Sequence, residues 1–268
     1  MPDYTFDTPE PIDLRIRSQS GTVTVTATDT GTSTVEVSAI DDDARDLAEE
    51  AVVQMDGSGR RLTVEVPERR SWIVRRRRLD IQVTVPSGSA LSVRTASAKT
   101  TATGRFSTAE AHTASGEILL DEVEGDVDAH CASGHITVNS GRTISAHTAS
   151  GKIRIGHASG DVDVHCASGT VRIGVAEASV RAKTASGDIT VDEASAGTVA
   201  LSAASGDLRV GVRSGVVARL DLRSLSGRIR SELPLEDSAP DGGARLEIQA
   251  KATSGNVVVV PAPARTGA

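Results

Sequence analysis

Large rings are nearly missing from this chain of 268 residues. Aromatics make up 1% of it, against 38% hydrophobic residues overall, and they are Tyr4, Phe6, Trp72 and Phe106. A globular core of this size would ordinarily be filled with rings, whereas a thin one packed with Val, Ile, Leu and Ala does without them. The same scarcity removes the stacking platforms on which single-stranded nucleic acid, or a sugar ring, is held. Positive charge is also short: the net charge is -7 and the pI about 5.4. That excludes the broad basic footprint of a phosphate binder, so no nucleic-acid partner is expected. No apolar run approaches the roughly 18 residues of a membrane span. The opening Met1-Pro2-Asp3-Tyr4 lacks the basic head and apolar stretch of a signal peptide, so the expected location is cytoplasmic.

Catalytic signatures are missing as well. The sequence holds no phosphate-binding glycine loop, no metalloprotease His-Glu pattern, no paired-cysteine zinc spacing and no nucleophile elbow. No catalytic residue, cofactor or committed metal ligand is assigned, and the expectation is a protein that is not an enzyme.

A short phrase recurs instead. Thr113-Ala114-Ser115-Gly116 returns as Cys131-Ala132-Ser133-Gly134, Thr148-Ala149-Ser150-Gly151, Cys166-Ala167-Ser168-Gly169 and Thr184-Ala185-Ser186-Gly187, with looser copies ending at Gly206, Gly227 and Gly255. From Gly116 to Gly187 the steps are 18, 17, 18 and 18 residues, and then 19, 21 and 28. A fixed short period marks a solenoid, each repeat one coil on the last. Between the phrases the residues alternate: Val171, Ile173, Val180, Ala182 and Thr184 should face in, and Thr170, Arg172, Arg181 and Lys183 out. The expected fold is therefore an all-β parallel solenoid of about 18 residues and two short strands per coil. Glycine suits the corner because it accepts positive φ; Ala98 holds that place in Thr95-Ala96-Ser97-Ala98, so its coil must turn differently or carry strain. Cys131 and Cys166 fall on the same repeat position two coils apart. That is about 9.6 Å at about 4.8 Å per coil, beyond the roughly 7 Å a disulfide tolerates. Both should be buried, reduced thiols.

Residues 1–85 read as N-terminal coils with an inserted cap, including a helix over about 43–55 introduced by Asp41-Asp42-Asp43. Residues 86–261 read as the regular solenoid, with an enlarged loop over 231–243, and 262–268 as a disordered tail. Arg69 to Trp72 and the run Arg75 to Arg78 belong to the cap. The run is read as a solvated segment balanced by Glu65, Glu68 and Asp80, with an acidic partner or membrane phosphates as the alternative.

Laying coils over one another gives the candidate site. The outward residue before the Thr or Cys of each phrase reads Arg17, Arg94, His112, His130, His147, His165, Lys183, Ser202, Arg223 and Lys251. Four of the six histidines stand in that column. Beside it lie Glu110, Asp128 and Asp163, then Asp126 and Asp161. Three readings compete: a solvated face repeated by duplication, a strip that binds an anion or a partner, and a metal- or proton-linked strip. The candidate binding residues are Arg94, His112, His130, His147, His165, Lys183, Asp128 and Asp163.

Several stretches carry a resemblance: Phe6-Asp7-Thr8-Pro9-Glu10-Pro11-Ile12, Leu79-Asp80-Ile81-Gln82-Val83-Thr84-Val85-Pro86-Ser87-Gly88-Ser89, the Thr-Ala-Ser-Gly-Asp-Ile-Thr-Val unit at 184–191, and Ser254-Gly255-Asn256-Val257. In their order the chain resembles a bacterial β-strand-repeat family of unknown function whose members are labelled putative adhesins. The resemblance implies a β-solenoid and a non-enzymatic, adhesin-like or scaffolding surface, and supplies no catalytic residue. The expected function is a structural or interaction protein presenting repeated side-chain columns, with a protein as partner and self-association through the solenoid ends open. The alternative is a β-helix that binds a ligand or metal, or acts on a polysaccharide, through the His and Asp columns.

Overall fold

The computed structural model describes residues 3–67, 77–233 and 245–263. Among these, strands alternate with short corners: β1 (Asp3–Asp7), β2 (Asp13–Thr28), β3 (Thr32–Ala39), α1 (Arg45–Glu49), β4 (Val52–Met55), β5 (Arg61–Glu65), β6 (Leu79–Pro86), β7 (Ala90–Phe106), β8 (Thr108–Val123) and β9 (Val127–Gly141). They are followed by β10 (Ile144–Ala158), β11 (Val162–Ala176), β12 (Val180–Ser186), β13 (Ile189–Ala194), β14 (Gly197–Ser205), β15 (Leu208–Val212), β16 (Val217–Ser226), β17 (Ile229–Ser231), β18 (Arg245–Ser254) and β19 (Val257–Pro261). The chain divides into two units, Met1–Ile136 and Thr137–Ala268, each built of parallel β-solenoid coils.

In the first unit β2 lies between two coils that are distant in sequence. Along one edge β7 pairs with it in parallel, Leu14 opposite Leu91 and Arg17 opposite Arg94. Along the other edge β5 pairs with its first half and β6 with its second. β8 continues beyond β7, placing His112 opposite Arg94. Antiparallel strands then cover the outer coil: β3 on β6, β1 on β3, and β4 on β5. Strands laid in this way cover a solenoid edge that would otherwise invite foreign strands.

The helix inside the cap is shorter than the expected 43–55. A 3-10 turn over Asp42–Ala44 leads into α1, which buries Leu47 and Ala48 and ends at Glu49. The rest of that stretch, Val52–Met55, is β4. It pairs with β5 across a turn in which Asp56 Oδ1 accepts the amides of Arg60 and Arg61. β-Branched Val52 and Val53, with Gly59 at φ 68°, favour the hairpin over helix. Asp41 holds the N-cap place but caps nothing with its side chain; its carboxylate instead accepts the backbone amide and guanidinium of Arg78 at 3.0–3.2 Å. Arg77 reaches Asp46 at 3.5 Å. Arg69 to Trp72, Arg75 and Arg76, the 234–243 part of the expected loop, and 264–268 of the expected tail lie outside the described residues.

In the second unit β10 and β11 stack in register, Val162 opposite Ile144 eighteen positions earlier. β11 pairs with β12 and then β13, and these with β14 and β15. The order then departs from the chain: β18 and β19 lie next to β14 and β15, and β16 and β17 pair on the far side of β18 and β19. In β16 and β17, Leu225 is 86% exposed and Ile229 48%.

The alternation holds as expected. Val171, Ile173, Val180, Ala182 and Thr184 are buried, and Thr170, Arg172, Arg181 and Lys183 are exposed. The thin cores contain Leu14, Ile16, Leu62 and Ile118 in the first unit and Ile144, Ile153, Ile155 and Ile173 in the second, and each such side chain contributes about 1.5–3 kcal/mol on burial. Phe106 is the one fully buried aromatic among the described residues.

The Ser-Gly corner need not interrupt a strand. β8, β10 and β11 run through it for 15–16 residues. Gly151, Gly169 and Gly187 adopt φ of 148°, 144° and 139°, a region open to glycine alone. A Cβ on Gly169 would lie 1.7 Å from the carbonyl oxygen of Gly151. From Val180 onward the two halves of a coil separate, and the amide that follows the glycine bonds to a side-chain oxygen. Asp188 Oδ1 accepts the amide of Asp207, Asp207 Oδ1 that of Asn256, and Asn256 Oδ1 that of Arg228, a side-chain ladder replacing the backbone one. No non-glycine among the described residues has positive φ, so the coil at Ala98 turns by another route, with Ala98 itself buried.

Candidate functional site on the outward His, Arg and Asp columns

In-register parallel pairing is what makes a column, since equivalent residues of adjacent coils stand one strand spacing apart on the same face. In the first unit Arg17, Arg94 and His112 are consecutive rungs, and the rings of His112 and His130 stack at 4.8 Å between centroids. In the second unit His147 faces His165, His165 faces Lys183, Lys183 faces Ser202, and Ser202 faces Lys251. The His147 and His165 rings stack at 5.0 Å, nearly parallel at 3°. Arg223 is one rung beyond Lys251, so the last two members stand in the reverse of their sequence order.

The carboxylates interleave with these side chains. Glu110 accepts from Arg94 at 2.8 Å and from Ser92 at 3.2 Å, and its Oε1 lies 3.2 Å from His112 Nε2. The Arg94 hydrogen bond holds the Glu110 carboxyl below its usual range, against an opposing contribution from burial. Asp128 contacts His130 Nε2 at 2.8 Å through Oδ1 and lies 3.7 Å from His112 Nε2 through Oδ2. Asp163 Oδ1 lies 3.0 Å from His165 Nε2, with Arg181 at 3.7 Å on its other oxygen. Asp161 works on the backbone instead: its side chain accepts the amide of Ser179.

The inward neighbour explains why the phrase opens with Thr or Cys. Thr113 and Thr148 donate to the carbonyls of Ser115 and Ser150 at 3.3 Å, bracing the corner. Cys131 and Cys166 place Sγ 3.6 and 3.8 Å from the carbonyls of Gly116 and Gly151. Both cysteines are buried and unpaired, and burial raises each thiol's pKa.

Spacing did not reveal an open groove of about 640 Å³ in the first unit, lined by Arg17, Ser18, Glu65, Arg94 and Thr95. Glu65 comes from β5, which pairs directly with β2 and sets Glu65 opposite Arg17, 48 positions apart in the chain and so off the regular period. Arg17 lies 3.8 Å from Glu65. No helix among the described residues is long and apolar enough to cross a membrane.

The same fold occurs in a solved structure. A putative adhesin from Bacteroides fragilis matches with a TM-score of 0.50 at 12% identity, over 96% of this chain and 95% of that one. A putative adhesin from Parabacteroides merdae matches at 0.41 and 12% identity, over 96% and 95%. A protein from Parabacteroides distasonis described as a putative lipid binding protein matches at 0.35 and 11% identity, over 98% and 96%. No curated protein matches the chain. The model of one family, described as Toastrack DUF4097, matches residues 12–260. With nearly its whole length matched, the chain belongs to the Toastrack DUF4097 family.

Proposed function

We propose that this protein is a non-enzymatic interaction scaffold whose outward cationic columns dock an acidic protein surface. The observation that carries the reading is the register of the second unit, where His147, His165, Lys183, Ser202 and Lys251 occupy successive rungs. Regularly spaced donors and positive charges on one sheet face give an acidic surface many weak, aligned contacts, and electrostatic complementarity of that kind sets partner choice more than raw affinity. The carboxylates beside the column are tied to its His and Arg side chains or, like Asp161, to the backbone, which supports docking over hydrolysis. Two buried, unpaired thiols suit the reducing cytoplasm as the compartment. Nucleic acid is not part of the reading, given the net charge of -7.

The test is crosslinking in the native cells followed by mass spectrometry. A chain carrying His165→Glu, Lys183→Glu and Lys251→Glu should lose the proteins captured by the wild type. A control carrying Arg154→Glu and Arg209→Glu, on a different outward row, should keep them. Equal capture by both variants, or none by the wild type, would sink the scaffold reading.

A further inference from the structure

We propose that His112, Asp128 and His130 form a binding site for a single divalent transition-metal ion of the zinc class. The site stands on the geometry of the first unit and does not depend on the scaffold reading. His112 and His130 stand on neighbouring rungs with their rings stacked at 4.8 Å. Asp128, two residues before His130 on the same outward face of β9, sets one oxygen 2.8 Å from His130 Nε2 and the other 3.7 Å from His112 Nε2. In tetrahedral zinc sites, with bonds of about 2.0–2.2 Å, neighbouring donor atoms stand roughly 3.3–3.6 Å apart. The two observed gaps bracket that separation, and all three donor atoms lie within 4.8 Å of one another.

A second observation points the same way. The Nε2 of His112 is shielded from solvent and makes no well-formed hydrogen bond, although it faces carboxylate oxygens of both Glu110 and Asp128. A cation seated between that nitrogen and Asp128 satisfies it. Glu110, already held by Arg94 and Ser92, then acts as an outer anchor rather than a ligand. Two imidazoles and one carboxylate favour zinc, nickel or copper over magnesium or calcium. The three side chains are 36%, 47% and 41% exposed, so the fourth position opens to water or to a ligand from another molecule.

The corresponding place in the second unit is weaker. Ser145 stands two residues before His147, where His112 has Glu110, and Arg181 puts a permanent positive charge 3.7 Å from Asp163. Asp163 therefore serves as an internal control.

Isothermal titration of the full chain with zinc chloride should show one saturable equivalent. Asp128→Asn and His130→Gln should each weaken it at least tenfold, while Asp163→Asn leaves it unchanged. Imidazole NMR of the unaltered protein should show His112 and His130 shifting with zinc while His157 stays in place, a readout that survives if a variant fails to fold. The proposal is overturned by any of three results: no saturable binding, undiminished binding in Asp128→Asn, or loss that follows Asp163 instead. Repeating the crosslinking with a chelator present keeps this outcome separate from that of the scaffold reading.

Discussion

Gly169 concentrates two constraints in one position: a φ of 144° that side chains avoid, and a missing Cβ that would overlap the Gly151 carbonyl at 1.7 Å. Backbone strain of about 1–3 kcal/mol and overpacking of about 1–3 kcal/mol act together there. Gly169→Ala should lower unfolding stability by roughly 2–6 kcal/mol in guanidinium titration. Gly215 separates the two contributions, because its φ is 78° but nothing lies within 4 Å of a Cβ. Gly215→Ala should cost less than half as much; equal costs would show that the close approach contributes nothing. A second measurement concerns the thiols. Burial disfavours the thiolate of Cys131 and Cys166, and only the thiolate attacks disulfide reagents. At neutral pH both should react slowly in the native chain and rapidly once denaturant is added. Fast native reaction of either would contradict its burial. The inward place of both cysteines could be read from the repeat alone, since strand parity and a constant coil length fix which letters face in. The approach of Asp128 to both His112 and His130 could not, because it depends on where side chains point across a rung.

The capped insertion of the first unit shows where local signals mislead. Three aspartates followed by an Ala-, Glu- and Leu-rich stretch promise a helix of some thirteen residues by ordinary capping rules, yet Val52–Met55 gains more from pairing with β5. Val52 and Val53 favour extended backbone, but nothing within the stretch records which strand they pair with. Asp41 likewise serves at a distance, tying the insertion to the start of β6 through Arg78. Its carboxyl is held below the ordinary 3.8, first by the side-chain hydrogen bond with Arg78. A group so lowered adds stability above its unfolded pKa and loses it as pH falls through the folded one. Asp41→Asn should therefore speed amide exchange in α1 at neutral pH, and the difference from wild type should vanish in strong acid. A pH-independent difference would mean the charge is irrelevant. Inside the solenoid the expectation is sharper: Ile173 is fully buried, and Ile173→Ala should cost about 2–5 kcal/mol. Coils contact mainly their neighbours, so amide protection should fall in β10 and β13 before it falls in β18.

The repeat announces coils but not their order. Stacking them in sequence, Ser202, Arg223, Lys251, is the natural expectation, because each phrase follows the last along the chain. In the second unit the chain instead skips a rung, lays β16 and β17 as the outer coil, and returns with β18 and β19 to fill the gap. The first unit does the same in mirror order, with β2 between its outer coil, β5 and β6, and β7. The period is silent on this because adjacent phrases are near-equivalent, so either order satisfies the inward–outward alternation. Only the lengthened steps of 21 and 28 residues set these phrases apart in the sequence. Register then separates the two orders experimentally. Adjacent parallel rungs lie about 4.8 Å apart, inside the Cα range a disulfide accepts, whereas alternate rungs at about 9.6 Å lie outside it. Cysteines introduced by Ser202→Cys and Lys251→Cys should crosslink under mild oxidation, since the two residues face each other. The pair made by Ser202→Cys and Arg223→Cys should not, because the Lys251 rung stands between them. Crosslinking in the second pair and not the first would restore the sequential order and remove Lys251 from the middle of the cationic column.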